Sequence, residues 1–338
     1  MNPADHGATP VTDDLAERTR SWSAYWSSGA LHSCVGSFGG NYAGEVREFW
    51  RALAATLPVG ARLLDVATGN GALPALFIED VPEARALQID AVDLAQVQPG
   101  WLALAPEAVR GRTRFHPGVR AESLPFADAA FDVAVSQFGL EYTDTARAIA
   151  ELRRVVRAGG TLALVLHASE SLIVRQAREE LRHLAWMLDE AALLDTGARL
   201  CEALALAATP EGIRKLEADP AAASLRSNYN ALMSQASDRA ERSSCPDVIV
   251  DTQQGIAHAL MASRAAGSAL VGQQALAALV VQLRESQLRL RELVECALDR
   301  PAVEALLQAS GASLDRLVEL RFDNRELMAW GLLARLPG

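Results

Sequence analysis

The sequence predicts an α/β protein: a doubly wound, seven-stranded, mostly parallel sheet with a large α-helical insertion between the fifth strand and a terminal β-hairpin. Three observations predict it. Short apolar runs alternate with helical patterns from Arg62 to His167, which implies crossover helices and a sheet covered on both faces. From Ser171 to Asp299 the pattern is helical nearly throughout. Two strand-like runs, Leu314–Phe322 and Glu326–Leu336, then close the chain around a turn at Asp323-Asn324-Arg325, so the chain returns to the sheet it left, its last strand antiparallel.

Taken in order, residues 1–20 are polar and partly acidic, unlike a secretory leader, and are expected to be poorly ordered. The stretch from Trp22 to Tyr42 is rich in aromatics and glycine; Trp22, Tyr25 and Trp26 have helical spacing, and Gly39-Gly40 could act as a hinge. It reads either as core packing or as a lid that closes over a ligand. A helix is expected over Ala43–Leu57, where Val46, Phe49, Trp50 and Leu53 share a face, ended by Pro58 and Gly60. Strands follow at Arg62–Val66, Leu87–Asp93, Thr113–His116, Phe131–Gln137 and Thr161–His167. Helices are expected around Leu73–Ile78 and over Thr145–Arg157, the latter closed by Gly159-Gly160. In the insertion, Val174, Ala177, Leu181 and Leu184 make one apolar stripe, and Leu276, Leu279, Val280 and Leu283 another. A short helix at Pro301–Gln308 precedes the hairpin.

Composition narrows the function. Half of the 338 residues are hydrophobic, enough for a sizeable core and long for one minimal domain. A net charge of −10 repels phosphate backbones and argues against a nucleic-acid partner. The basic cluster Arg153, Arg154 and Arg157 reads as the wet face of a helix. Cys34, Cys201, Cys245 and Cys296 form no CxxC pair, so neither a disulfide framework nor a metal site is expected. With no span of membrane length, a cytoplasmic protein without a membrane partner is the expectation.

The strongest chemical signal is Leu64-Asp65-Val66-Ala67-Thr68-Gly69-Asn70-Gly71. A strand ends at an acid and turns through two glycines into a helix whose N-terminal amides face a ligand. Asp65 is placed for a cationic amino group. Asp93, closing Ala91-Val92-Asp93-Leu94, suits a pair of ribose hydroxyls, with Leu94 against a base; an acid there also suits a helix cap. A GxGxxG reading from Gly69 puts Pro74 at the third glycine, which weakens a dinucleotide assignment.

These stretches, with Ala121-Glu122-Ser123-Leu124-Pro125-Phe126, Phe131–Leu140 and Arg154–Gly160, resemble class I (Rossmann-like) S-adenosylmethionine-dependent methyltransferases, closest to the ubiquinone/menaquinone C-methyltransferase-like (type 11) subgroup. The resemblance covers roughly residues 45–167 and the terminal hairpin. It implies S-adenosyl-L-methionine as cofactor. Asp65, Ala67, Thr68, Gly69, Asn70 and Gly71 would hold its methionine part, Asp93 and Leu94 the ribose and adenine, Ala121 and Glu122 the adenine edge, and Gln137 the sulfonium side. Two residues depart from the pattern: Ala67 replaces a commoner glycine, and Arg120 stands where an acid often grips adenine. The Asp/Asn-Pro-Pro-aromatic motif of amide and nucleobase N-methylation is missing after the fourth strand, which has Ser136-Gln137-Phe138-Gly139.

Methyl transfer from a sulfonium needs alignment more than acid–base chemistry, and a base only where the acceptor arrives protonated. His167, Glu141, Tyr142 and His32 are the candidates, each with a packing role as the alternative. The expected division is a 1–44 N-terminal segment and lid, a 45–170 cofactor-binding core, a 171–299 helical insertion for substrate or oligomerisation, and a 300–338 return to the core. The expected activity is methylation of a small, fairly apolar acceptor (natural-product or quinone-like) or a peptide. A non-catalytic cofactor-binding assembly protein and an NAD(P)-dependent oxidoreductase are the alternatives, and a homodimer contact is one use for the apolar helices.

Overall fold

Seven strands form one sheet in the order β3-β2-β1-β4-β5-β7-β6. The computed structural model describes residues 11–33, 40–81, 86–323 and 325–337. The chain runs α1 (Val11–Ser27), α2 (Gly44–Thr56), β1 (Arg62–Val66), α3 (Ala72–Asp80) and β2 (Gln88–Asp93). Two short helices follow, α4 (Gly100–Leu104) and α5 (Glu107–Arg110), then β3 (Thr113–Pro117) and β4 (Phe131–Gln137). A 3-10 turn at Leu140–Tyr142 leads to α6 (Thr145–Val155) and β5 (Val156–His167). Helices α7 (Leu172–Ala185), α8 (Leu193–Leu206), α9 (Pro210–Glu217), α10 (Pro220–Glu241), α11 (Asp247–Ala266) and α12 (Ala269–Cys296) precede α13 (Arg300–Ser310), β6 (Ser313–Phe322) and β7 (Glu326–Arg335).

Strands β1 to β5 pair in parallel, and β7 lies antiparallel between β5 and β6. The period of two along each strand sends alternate residues to opposite faces. Leu63, Ile89, Val133 and Val165 meet Val46, Phe49 and Trp50 of α2 and Leu76 and Phe77 of α3 on one face. Leu64, Val92, Ala134 and Leu164 meet Ile149 and Leu152 of α6 and Val303 of α13 on the other. Because all parallel strands run one way, their carboxyl ends and the loops leaving them gather at one edge, where open α/β sheets bind ligands.

Three expectations change. Residues 11–20, expected to lack order, belong to α1; a segment of weak intrinsic pattern is held helical by tertiary hydrogen bonds described below. Residues 1–10, the Cys34–Gly39 part of the aromatic stretch and Asn324 of the final turn lie outside the described residues. Gly159-Gly160 does not close a helix: α6 stops at Val155, β5 begins at once, and the glycines sit in a register shift against β4 between Phe131 and Val133. The basic cluster is only partly a wet face. Arg154 donates to Glu151, Asp128 and the Leu124 and Phe126 carbonyls, fastening α6 to the loop before β4.

The chain divides into two compact units, Met1–Val174 with Glu295–Gly338, and Arg175–Val294. The first re-forms at Leu298, whose N–H donates to the His167 carbonyl and whose carbonyl accepts from the Trp330 indole. The second has its own core, in which Leu184, Met187, Leu193, Leu200, Ile249, Ile256, Leu276 and Leu283 are buried together. Leu184 of the first apolar stripe and Leu276, Leu279, Val280 and Leu283 of the second lie in or against this core. Among the described residues, no helix is long and apolar enough to cross a membrane.

Candidate active site

A pocket holding about 1030 Å³ of empty space, its mouth included, opens at the carboxyl edge of the sheet. Its wall combines the loops after β1, β2, β3 and β4 with α1. Asp65, Ala67, Thr68, Gly69, Asp93, Leu94, Ala121, Glu122 and Gln137, singled out from the sequence, all stand on that wall.

Each is placed by local chemistry. Asp65, next to last in β1, is almost fully buried and accepts the Thr68 hydroxyl at 2.5 Å. Burial pushes its carboxyl up to about 8, opposed by that hydroxyl and reinforced by the charge of Asp93. Asp93 ends β2; its two oxygens accept the Gly69 and Ala95 amides, each at 2.8 Å, so it ties the β1 loop to the β2 loop. Burial raises it to about 6, and the two amides hold it below Asp65. Glu122 accepts from the Asp144 amide at 3.0 Å and from Arg120 at 3.4 Å. The arginine that departs from the family pattern is thus paired with the acid beside it.

Two backbone positions are strained. Ala67 has φ 56° and Phe138 φ 54°, left-handed conformations that side chains other than glycine's avoid. Ala67 fits because Gly139 faces it: a Cβ on Gly139 would lie 2.4 Å from that of Ala67. Gly69 answers a different need, since a Cβ there would lie 2.6 Å from the Trp26 ring.

Asn70 and Gly71 are not on the wall. The Asn70 amide nitrogen donates to the Trp26 carbonyl at 2.9 Å and the Ala30 carbonyl at 2.7 Å, and its oxygen accepts from the Gln98 amide at 3.3 Å. Its side chain is committed to the carbonyls of Trp26 and Ala30 and to the Gln98 amide. Gly71 packs under Phe115, where a Cβ would meet the ring at 2.5 Å.

The four proposed bases separate. Tyr142 and His32 line the pocket. His32 Nε2 lies 2.6 Å from the Gly40 carbonyl, which can only accept; Nε2 therefore carries the proton, and burial keeps the ring's pKa below its usual value. Glu141 and His167 are buried and absent from the wall. The His167 ring stacks on Phe138 at 4.1 Å, with burial lowering its pKa to about 3, and the Glu141 carboxylate accepts the His167 amide at 2.8 Å while burial raises it to about 7. A base must reach the proton it takes. Of the four, His32 and Tyr142 are the ones on the wall.

What the sequence did not reveal is the composition of the cover. Leu15, Arg18, Thr19, Trp22 and Trp26 of α1, with Leu31, His32 and Ser33, complete the wall. Arg18 donates to the Tyr142 carbonyl, and Ser23 accepts from the Gln96 amide. Trp22 and Trp26 stack at 5.8 Å. Helical spacing of these aromatics was the one signal available. The described wall residues run from Leu15 to Thr143.

In the helical unit, Glu179, His183 and Cys245 come close enough to share a cation. Their hydrogen bonds point elsewhere. Arg239 donates to His183 Nδ1, which leaves the proton on Nε2 toward Ser243, and Ser243 donates to Glu179. The Nε2 lone pair a metal would need is occupied by that proton.

A family model described as a methyltransferase domain matches residues 64–164. The ubiquinone/menaquinone biosynthesis C-methyltransferase UbiE of Dinoroseobacter shibae is 39% identical over 110 residues, covering 32% of this chain and 43% of that protein. The enzyme of the same name from Stutzerimonas stutzeri is 34% identical over 131 residues, covering 38% and 50%. The chain thus spans half or less of the length of these curated relatives. Among solved structures, the 1,6-didemethyltoxoflavin-N1-methyltransferase of Burkholderia thailandensis covers 99% of this chain and 94% of its own, with a TM-score of 0.50 and 13% identity. At that identity the likeness is one of fold.

Proposed function

We propose that this chain, whose core is a class I S-adenosylmethionine-dependent methyltransferase domain of the UbiE-like type, transfers a methyl group to a small, flat, largely apolar acceptor held under α1. The observation that carries the reading is one continuous wall. It joins two buried carboxyls at the ends of β1 and β2 to an aromatic cover on α1. The curated relatives, named for ubiquinone and menaquinone biosynthesis, favour a quinone-like ring over a peptide.

When bound, S-adenosylmethionine supplies a methyl group already activated on a sulfonium. The chain supplies grip and alignment. Asp65 meets the amino group of the cofactor, Asp93 its ribose hydroxyls, and Leu94, Ala121 and Glu122 border the adenine. Trp22, Trp26, Tyr42 and Phe138 keep water from the acceptor; such alignment in a dry site is worth on the order of 7–11 kcal/mol in well-oriented reactions. For an acceptor that arrives protonated, His32 and Tyr142 are the wall residues of the four considered that can take the proton.

Titration calorimetry tests the reading. S-adenosylhomocysteine should bind in the micromolar range, about −8 kcal/mol at 1 μM, with NAD far weaker. Asp93→Ala should weaken that binding at least tenfold without unfolding the chain. Tight NAD binding by the wild type overturns the assignment. Cofactor binding without methylation of any quinol or phenol in a labelled-methyl assay favours the non-catalytic alternative.

A further inference from the structure

We infer that Gln137 is a hydrogen-bond donor to the methyl acceptor, and that the acceptor is a flat ring system bearing a carbonyl or ionised oxygen. The inference rests on the methyltransferase reading and deepens it. Gln137 is the last residue of β4, 7% exposed, and stands on the pocket wall. Its amide orientation is fixed by chemistry. The fully buried Trp50 indole, which can only donate, gives its N–H to Gln137 Oε1. The Nε2 group is thereby turned away from Trp50 with two N–H bonds to place. Among the described residues it has no partner, although the atom is buried.

Buried donors without partners are rare in native proteins, and each carries a desolvation cost. A ligand with an accepting atom removes that cost. The sulfonium is not such a ligand, because a cation gains nothing from the positive end of an amide dipole. The next residue, Phe138, and Tyr42 in edge contact with it at 6.3 Å, offer an apolar, ring-shaped surface on the same wall. A donor set beside aromatic rings fits a flat molecule with one polar edge that accepts. In a dry pocket the same N–H favours negative charge on that oxygen, so a ring nucleophile conjugated with it is held in its reactive, ionised form.

The experiment uses the full chain saturated with S-adenosylhomocysteine and two probes of nearly equal shape: coumarin, whose oxygens only accept, and naphthalene, which has none. Equilibrium dialysis should show coumarin bound at least tenfold more tightly than naphthalene. Gln137→Leu should bring the ratio close to one while moving the S-adenosylhomocysteine affinity less than threefold. Gln137→Glu, which keeps the partner for Trp50 but replaces the donor by an acceptor, should bind coumarin no better than naphthalene, and it decides the matter if the leucine variant fails to fold. Equal binding of the probes by the wild type, no coumarin binding, or a ratio that survives both variants overturns the inference. So does a loss of S-adenosylhomocysteine affinity as large as the loss for coumarin, which would give the amide to the cofactor. Failure of S-adenosylhomocysteine to bind the wild type would instead overturn the methyltransferase reading itself.

Discussion

The chemistry of the site is concentrated in two buried carboxyls whose protonation sets how the pocket meets a cation. With Asp65 raised from 3.8 to about 8, the bare chain at neutral pH holds this group largely neutral. The sign follows from linkage: a carboxyl raised in the folded state binds more protons there than in the unfolded chain, so this group lowers stability as pH climbs from 3.8 to about 8. A ligand ammonium favours the ionised form. S-adenosylhomocysteine affinity should therefore rise roughly tenfold per pH unit from 6 toward 8. Above about 8 it should fall as the ligand amine, an α-amino group, loses its proton. Calorimetry across that range should show the acid limb in the wild type and lose it in Asp65→Asn. A second residue-level test concerns strain. Ala67→Gly relieves a left-handed alanine, a conformation costing about 1–2 kcal/mol, and should leave thermal stability unchanged or higher by about 1 kcal/mol once the looser unfolded chain is counted. Gly139→Ala should destabilise the wild type, whose Ala67 Cβ it meets, and do so less beside Ala67→Gly; additive effects in a double-mutant cycle would refute the pairing. The acids were legible in the sequence because the alternation of a strand near its carboxyl end fixes where each residue points. The Ala67–Gly139 pair was not, since it joins two loops far apart in the chain and depends on backbone angles.

At the level of elements, α1 is held by polar bonds to three of the four strand-end loops that build the pocket. Asn70 takes its C-terminal carbonyls after β1, the Gln96 amide after β2 meets Ser23, and Tyr142 after β4 accepts from Arg18. Such bonds at a solvent-facing edge open at lower free energy than a core strand does. Amides of residues 15–33 should exchange faster than those of β1 or β4 in the free chain and slow when S-adenosylhomocysteine binds. Asn70→Ala removes the two bonds to the Trp26 and Ala30 carbonyls and should speed that exchange while leaving β4 unchanged. Equal protection with and without the ligand, or no effect of Asn70→Ala, would make α1 a fixed wall rather than a cover. The sequence offered the alternation of strands and helices because each element has its own period. It offered little of α1, whose polar pattern resembles a tail until the loops that bind it are in place. The start of β5 escaped for a similar reason: Gly159-Gly160 reads as a helix stop, whereas pairing with β4 begins at Val156.

On the scale of the whole molecule, two units with separate cores share one chain. A helical segment inserted between β5 and the hairpin was legible as an uninterrupted 3.6-residue pattern; that it builds its own core was not, because an apolar stripe does not name its partner. Each unit with its own core is a candidate for independent folding. One tight helix approach in the second unit lies at Gly272 of α12. A Cβ there would stand 2.0 Å from Ser263 Oγ, 2.5 Å from the Ala259 carbonyl of α11 and 2.8 Å from Cys201 Sγ of α8. Two of those atoms belong to other helices' short side chains and one to backbone, so relief requires the helices to part. Gly272→Val should therefore cost at least the 1–3 kcal/mol typical of overpacking, through a displacement confined to Arg175–Val294. Scanning calorimetry should resolve two transitions in this variant. The lower belongs to the helical unit and should ignore S-adenosylhomocysteine; the upper belongs to the sheet unit and should rise with ligand by mass action. The ligand's affinity below the first transition should match the wild type, because the described residues of the pocket wall all belong to the sheet unit. One cooperative transition that moves as a whole with ligand would mean that the two cores stand or fall together.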